Sequence, residues 1–93
     1  MSNMVNKSAQ KEILLKTIGQ FVKEQRNKMQ KGILLLSYEF DISNSSITKL
    51  EEGKRDVQIT TLWRIANALG MNFSDFIAEI ERRLPENFKL IDN

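Results

Sequence analysis

A chain of 93 residues, 41% of them hydrophobic, is long enough for one globular domain with one modest core. It contains neither Cys nor His, which excludes disulfides, Cys/His metal sites and any nucleophile–His pair. The net charge is only +2; residues 1–58 carry ten bases and seven acids, residues 59–93 four and five, so a basic face must come from the first half.

The opening MSNMVNKSAQ lacks a signal peptide's apolar core, and no later stretch reaches the roughly 20 apolar residues that span a bilayer. A cytoplasmic protein is the expectation. Residues 1–10 read as a flexible polar arm. From Ala9 to Met29, steps of three and four place Ile13, Leu14, Ile18, Phe21, Val22 and Met29 on one helical face. Gly19 costs about 1 kcal/mol inside a helix, and close packing against a neighbour accounts for it. Lys31-Gly32 ends this helix, with glycine in the C′ position.

The next segment, ILLLSYEF (33–40), is too short to separate strand from helix by run length. Ile33, Leu36 and Phe40 nevertheless follow helical steps of three and four. Asp41-Ile42-Ser43 forms a turn, and Ser43 or Asn44 caps a helix running to about Glu51. Ile47 and Leu50 are its buried stripe and Gly53 stops it. Thr60 or Thr61 starts a further helix, with Leu62, Ile65, Ala66 and Leu69 inward and Gly70 at its end. Ser74 caps the last helix, which carries Phe76, Ile77, Ile80 and Leu84 inward, as core or as dimer seam, and stops at Pro85. In the tail, residues 85–93, Phe88, Leu90 and Ile91 either pair as a short strand across a two-fold axis or fold back on the core. The expected fold class is all-α, five helices in one domain over residues 11–84.

Residues 33–40 and 44–51 form two short helices joined by a tight turn, a helix-turn-helix. With Leu36, Phe40, Ile42, Ile47 and Leu50 inward, Asn44, Ser45, Thr48 and Lys49 are left outward. Those types suit base edges: an amide bonds adenine bidentately, hydroxyls adapt, and Lys reaches guanine acceptors or a phosphate. The alternative for Asn44 and Ser45 is plain N-capping, and for Lys49 a solvated face. Acids and lysines form no catalytic constellation, so an enzyme is not expected, nor any cofactor.

The segments IGQFVKEQR (18–26), ISNSSITKLEEGKR (42–55) and TLWRIANALGMNFSDF (61–76) resemble the phage-repressor-like helix-turn-helix family of Cro/CI or XRE type. The LEEGKR exit and the following AxALG helix end are the most specific part. The resemblance implies a five-helix lambda-repressor-like domain whose third helix lies in the major groove. It implies base reading by Asn44, Ser45, Thr48 and Lys49, backbone contact by Ser43, Lys54 and Arg55, and a structural ion pair between Arg26 and Glu51. It further implies a homodimer on a palindromic operator, with the region after the fourth helix at the interface; within that region Ile80 and Leu84, furthest from the compact domain, are the expected interface positions, with Phe88 in the tail.

Three positions depart from the family pattern. Ile33 replaces a phosphate-binding Gln and is followed by Leu34 and Leu35, where polar residues are common. Asp41 replaces the corner glycine, and a carboxylate, Glu52, occupies a phosphate-friendly site. Flanking elements could bury the apolar run 33–36. If they do not, Ile33, Leu34 and Leu35 form a patch for a protein partner or a second protomer. That second possibility makes the chain a protein-interaction module on the same fold, antitoxin-like or an anti-repressor component.

Overall fold

The computed structural model describes residues 7–91. The first helix, α1 (Lys7–Lys28), buries Ile18, Phe21 and Val22 along one face. It begins inside the segment expected to be a flexible arm; the first six residues of that arm lie outside the described residues. Gly19 lies against the third helix, where an added Cβ would sit 2.3 Å from the Leu50 carbonyl oxygen. The helix–helix approach therefore requires a residue without a side chain.

The end of α1 differs from the sequence expectation. Gln30, not Gly32, takes the left-handed conformation (φ 58°), and the Lys31 N–H returns to the Arg26 carbonyl at 3.3 Å. Gly32 instead precedes α2 (Ile33–Phe40) in extended backbone and caps it without a side chain.

Asp41 turns the corner at φ 52° and ψ 46°, a conformation a short polar side chain tolerates. The Asp41 and Ile42 N–H groups both return to the Ser37 carbonyl, which closes α2. Ser43 then caps α3 (Asn44–Glu51): its Oγ accepts from the Ser46 N–H at 3.3 Å. Gly53 ends α3 at φ 70°, and an added Cβ there would meet Lys16 Cγ at 2.8 Å.

The fourth helix, α4 (Ile59–Ala68), starts earlier than either threonine expected to open it, behind Gln58, whose side chain makes no capping bond. The last helix, α5 (Phe73–Arg83), likewise starts behind Asn72, so Ser74 lies within its first turn rather than at its cap. Leu84 is extended, as the residue before Pro85 must be.

The helices α1 and α3 pack together, α2 leans on α3 and α4, and α5 closes against α1 and α4. Leu36, Ile42, Ile47, Leu50, Ile65, Phe76 and Ile80 fill the space between them with Phe21 and Val22. Phe21 and Phe76 meet at 5.5 Å between ring centroids, and Trp63 stacks on Phe73 at 4.4 Å. After Pro85 the chain folds back: the Phe88 N–H reaches the Pro85 carbonyl, and Gln10 Nε2 donates to the Lys89 carbonyl. No strand forms among the described residues.

Candidate nucleic-acid interface

The helix-turn-helix is positioned by a buried ion pair. Arg26 Nε donates to Glu51 Oε2 at 2.7 Å and Nη2 to Oε1 at 2.9 Å, while Nη1 donates to the Lys31 carbonyl at 2.9 Å. Hydrogen bonding to Glu51 holds the Arg26 guanidinium above its ordinary pKa against the opposing effect of burial. One guanidinium thus ties α1 to the end of α3 and to the α1–α2 turn.

Ile47 and Leu50 face the core, which turns the opposite side of α3 to solvent. Asn44, Ser45 and Lys49 are exposed there and Thr48 is half-buried. Among the described residues, none of these four side chains has a hydrogen-bond donor, acceptor or ion-pair partner except the solvent. Ser43 is committed to its cap.

Three of the acids around this surface are matched by a base, while Asp41, at the corner before α3, has no ion-pair partner among the described residues. Glu51 belongs to Arg26, Glu52 Oε1 lies 3.7 Å from Lys54 Nζ, and Asp56 Oδ2 lies 3.3 Å from Lys11 Nζ. The carboxylate at Glu52 is therefore screened by its neighbour. Lys49 and Arg55 keep no acidic partner among the described residues. Arg55 is nonetheless placed: its Nη1 donates to Ser46 Oγ at 3.2 Å. Sequence reasoning missed Ser46. Its only signal is the spacing Ser43-x-x-Ser46, which puts a second hydroxyl in the capped first turn.

On α2, Leu36 is fully buried and Ile33 half-buried, but Leu34 is 73% exposed and Leu35 46%. Tyr38, one turn after Leu34, is also exposed, so neither α1 nor the tail covers this stripe. The start of α2 offers no side-chain donor to a phosphate.

The positions expected at a dimer interface separate. Ile80 belongs to the core at 3% exposure, the core side of the two places open to it, and lies at the floor of the groove described next. Leu84 and Phe88 are half-buried along an apolar groove of about 530 Å³ between α1, α5 and the tail, beside exposed Ile77 and Leu90. Arg83 locks α5 to α1: it bonds Glu24 at 2.9 Å, pairs with Glu79, and lies 4.7 Å over the Phe21 ring.

Among the described residues, no group of three or more His, Cys, Asp or Glu could hold a metal ion, and no helix is long and apolar enough to cross a membrane. A family model described as helix-turn-helix matches residues 22–76, from mid-α1 to the first turn of α5. No curated protein and no solved structure matches the chain.

Proposed function

Because this chain belongs to the XRE-type helix-turn-helix family, a family of DNA-binding regulators, we propose that it reads a palindromic operator as a homodimer in the cytoplasm. The observation that carries the proposal is the solvent-facing polar surface of α3, Asn44, Ser45, Thr48 and Lys49, with Glu51, Glu52 and Asp56 each paired to a base. In this reading Asn44, Ser45, Thr48 and Lys49 select sequence through base edges. Arg55, Lys54 and the capped start of α3 at Ser43 fix register on the phosphates and supply the salt-dependent affinity. The mechanism is passive occupancy and needs no cofactor.

The functional domain of this proposal is residues 11–84, with the tail 85–93 completing the dimer face. Leu84, Phe88 and the exposed Ile77 and Leu90 around the apolar groove support that face. Reading two half-sites one turn of DNA apart requires the dimer to hold its two copies of α3 about 34–36 Å apart. Binding-site selection from random duplexes tests the whole reading. A palindromic consensus is expected; enrichment of no motif would remove sequence-specific reading.

The exposed stripe of Leu34, Leu35 and Tyr38 favours a second role, a protein partner docking on α2. Replacing Leu34 and Leu35 by Gln separates the roles. Loss of partner capture with DNA affinity intact would assign the stripe to a protein contact.

A further inference from the structure

The outer face of α4 carries a shallow trough of about 470 Å³ lined by Ile59, Thr60, Trp63, Arg64 and Asn67. We infer that this trough docks an acidic amphipathic helix of a partner protein, which sets apolar side chains against Ile59 and Trp63 and a carboxylate on Arg64. The surface is separate from the reading face of α3 and from the stripe on α2, and its use does not depend on what α3 binds.

Trp63 is built as an anchor. Its ring stacks on Phe73 at 4.4 Å and 5°, and Phe73 in turn lies 6.1 Å from Phe76, which is fully buried. This ladder of rings runs from the core to the surface and fixes the indole before a partner arrives, so little side-chain freedom is left to lose on binding. Half of the Trp63 surface nevertheless stays in solvent, and Ile59, one turn earlier, is 62% exposed. Trp and Arg are among the residue types that carry most of the binding energy at protein contacts.

The chemistry of the trough selects its occupant. Arg64 is the only charged residue of α4, and it is exposed. Among the described residues neither its guanidinium nor the Trp63 indole N–H has a partner. The trough therefore offers donors and no acid, and carboxylates complete it. A second copy of the chain does not. Arg64 stands midway along α4, so a two-fold contact centred on the trough sets Arg64 against itself. Duplex DNA fits no better, because the centre of the trough is apolar and one cation neutralises too little of the phosphate charge.

The shape of the face points to a helix as the occupant. Ile59, Trp63 and Asn67 form one row at steps of four and Thr60 and Arg64 the next, over about 12 Å of α4. Such rows are the ridges between which a second helix sets its own. An extended peptide would need a free sheet edge, which α4 does not provide.

Trp63 is the only Trp of the chain, so its emission reports occupancy of the trough directly. The probe is a synthetic amphipathic helix with leucines at i, i+3, i+4 and i+7 and glutamates beside them, titrated into the full chain; the control carries lysines for the glutamates. The acidic peptide is expected to shift the emission to the blue saturably and to bind about tenfold more tightly than the control, since an ion pair replaces a like-charge contact. Arg64→Glu is expected to reverse that preference with an unchanged unfolding midpoint. Ile59→Gln, at an exposed position, is expected to weaken the acidic peptide about fivefold or more without loss of stability. Absence of binding, equal binding of the two peptides, or indifference to both substitutions would overturn the inference. A blue shift on raising the protein concentration alone would replace it with self-association through α4. Quenching by a random-sequence duplex, abolished in Arg64→Gln, would replace it with a DNA contact.

Discussion

Arg26 and Glu51 meet fork to fork across α1 and α3, at 2.7 and 2.9 Å, with both side chains almost fully withdrawn from solvent. Removing one partner strands the other as a buried charge, so Arg26→Ala or Glu51→Ala is expected to cost about 3–5 kcal/mol in urea unfolding. Replacing both by apolar residues of similar volume recovers most of that. The pair Arg26→Met with Glu51→Leu is expected to stay about 1 kcal/mol short of the unaltered chain, because the Lys31 carbonyl also loses its donor. A double variant as unstable as the single ones would show that the two charges are not compensating each other.

Gly19→Ala improves intrinsic helix propensity by about 1 kcal/mol, yet it is expected to lower the melting temperature. The new Cβ would sit 2.3 Å from the Leu50 carbonyl and 2.7 Å from that of Glu51. Backbone cannot swing away as a side-chain tip can, so α3 must shift, at an overpacking cost of about 1–3 kcal/mol. The same shift moves the reading face, and DNA affinity should fall with stability. A more stable Gly19→Ala protein would contradict the close approach.

Glu79 carries a pH signature. Its hydrogen bond from Arg83, aided by Arg82 and opposed by partial burial, holds its carboxyl below the ordinary 4.5. A folded pKa below the unfolded one adds stability that is fully present above the unfolded value and lost as pH falls through the folded one. Stability against pH should therefore lose a component on the acid side of about 4.5, and Glu79→Gln should flatten that limb while leaving pH 7–8 behaviour parallel to the unaltered chain. High salt should shrink the difference, since both members of the pair keep about a third of their side-chain surface in water. A Glu79→Gln acid limb identical to the unaltered one would remove this assignment.

The helices were legible because their apolar steps of three and four are dense: Ile18, Phe21 and Val22, then Ile47 and Leu50, then Ile65 and Leu69, all reach the core. The helix starts were less legible. Gln58 and Asn72 lead α4 and α5 without side-chain caps, so the search for a hydroxyl cap moved each start inward by a residue or two. Gly32 drew the end of α1 to itself, although the left-handed residue is Gln30, a type that pattern reasoning does not flag. For Ile80 periodicity gave the inward face but not whether its neighbour there is the core or a second protomer, and in the folded chain it packs in the core. The reading residues of α3 followed from the inward stripe. The clasp of Arg55 on Ser46 did not, because it joins residues nine apart through a turn whose path the sequence does not show.

Adjacent leucines on α2 should behave oppositely. Leu36 has no exposed surface, so Leu36→Ala is expected to cost about 2–5 kcal/mol. Leu34 and Leu35 are largely in solvent, and Leu34→Gln with Leu35→Gln is expected to change stability by less than about 0.5 kcal/mol per site. Chemical denaturation of the two variants side by side checks this. A large cost at Leu34 would mean that another protomer or segment covers the stripe in solution.

Ser43 and Asn44 are neighbours with separable roles. Ser43 Oγ caps α3 through the Ser46 N–H, so Ser43→Ala is expected to cost about 1 kcal/mol of stability and to weaken binding to all sequences alike. Asn44 is exposed and its amide has no partner among the described residues. Asn44→Ala should leave stability within about 0.5 kcal/mol, and it should cost about 1–3 kcal/mol of discrimination at one base pair of each half-site. Selection from random duplexes with both variants reads the difference directly. Ser43→Ala should return the unaltered consensus at reduced yield, and Asn44→Ala a consensus degenerate at one symmetric position. An unchanged consensus for Asn44→Ala would move base reading along α3 to Ser45, Thr48 and Lys49.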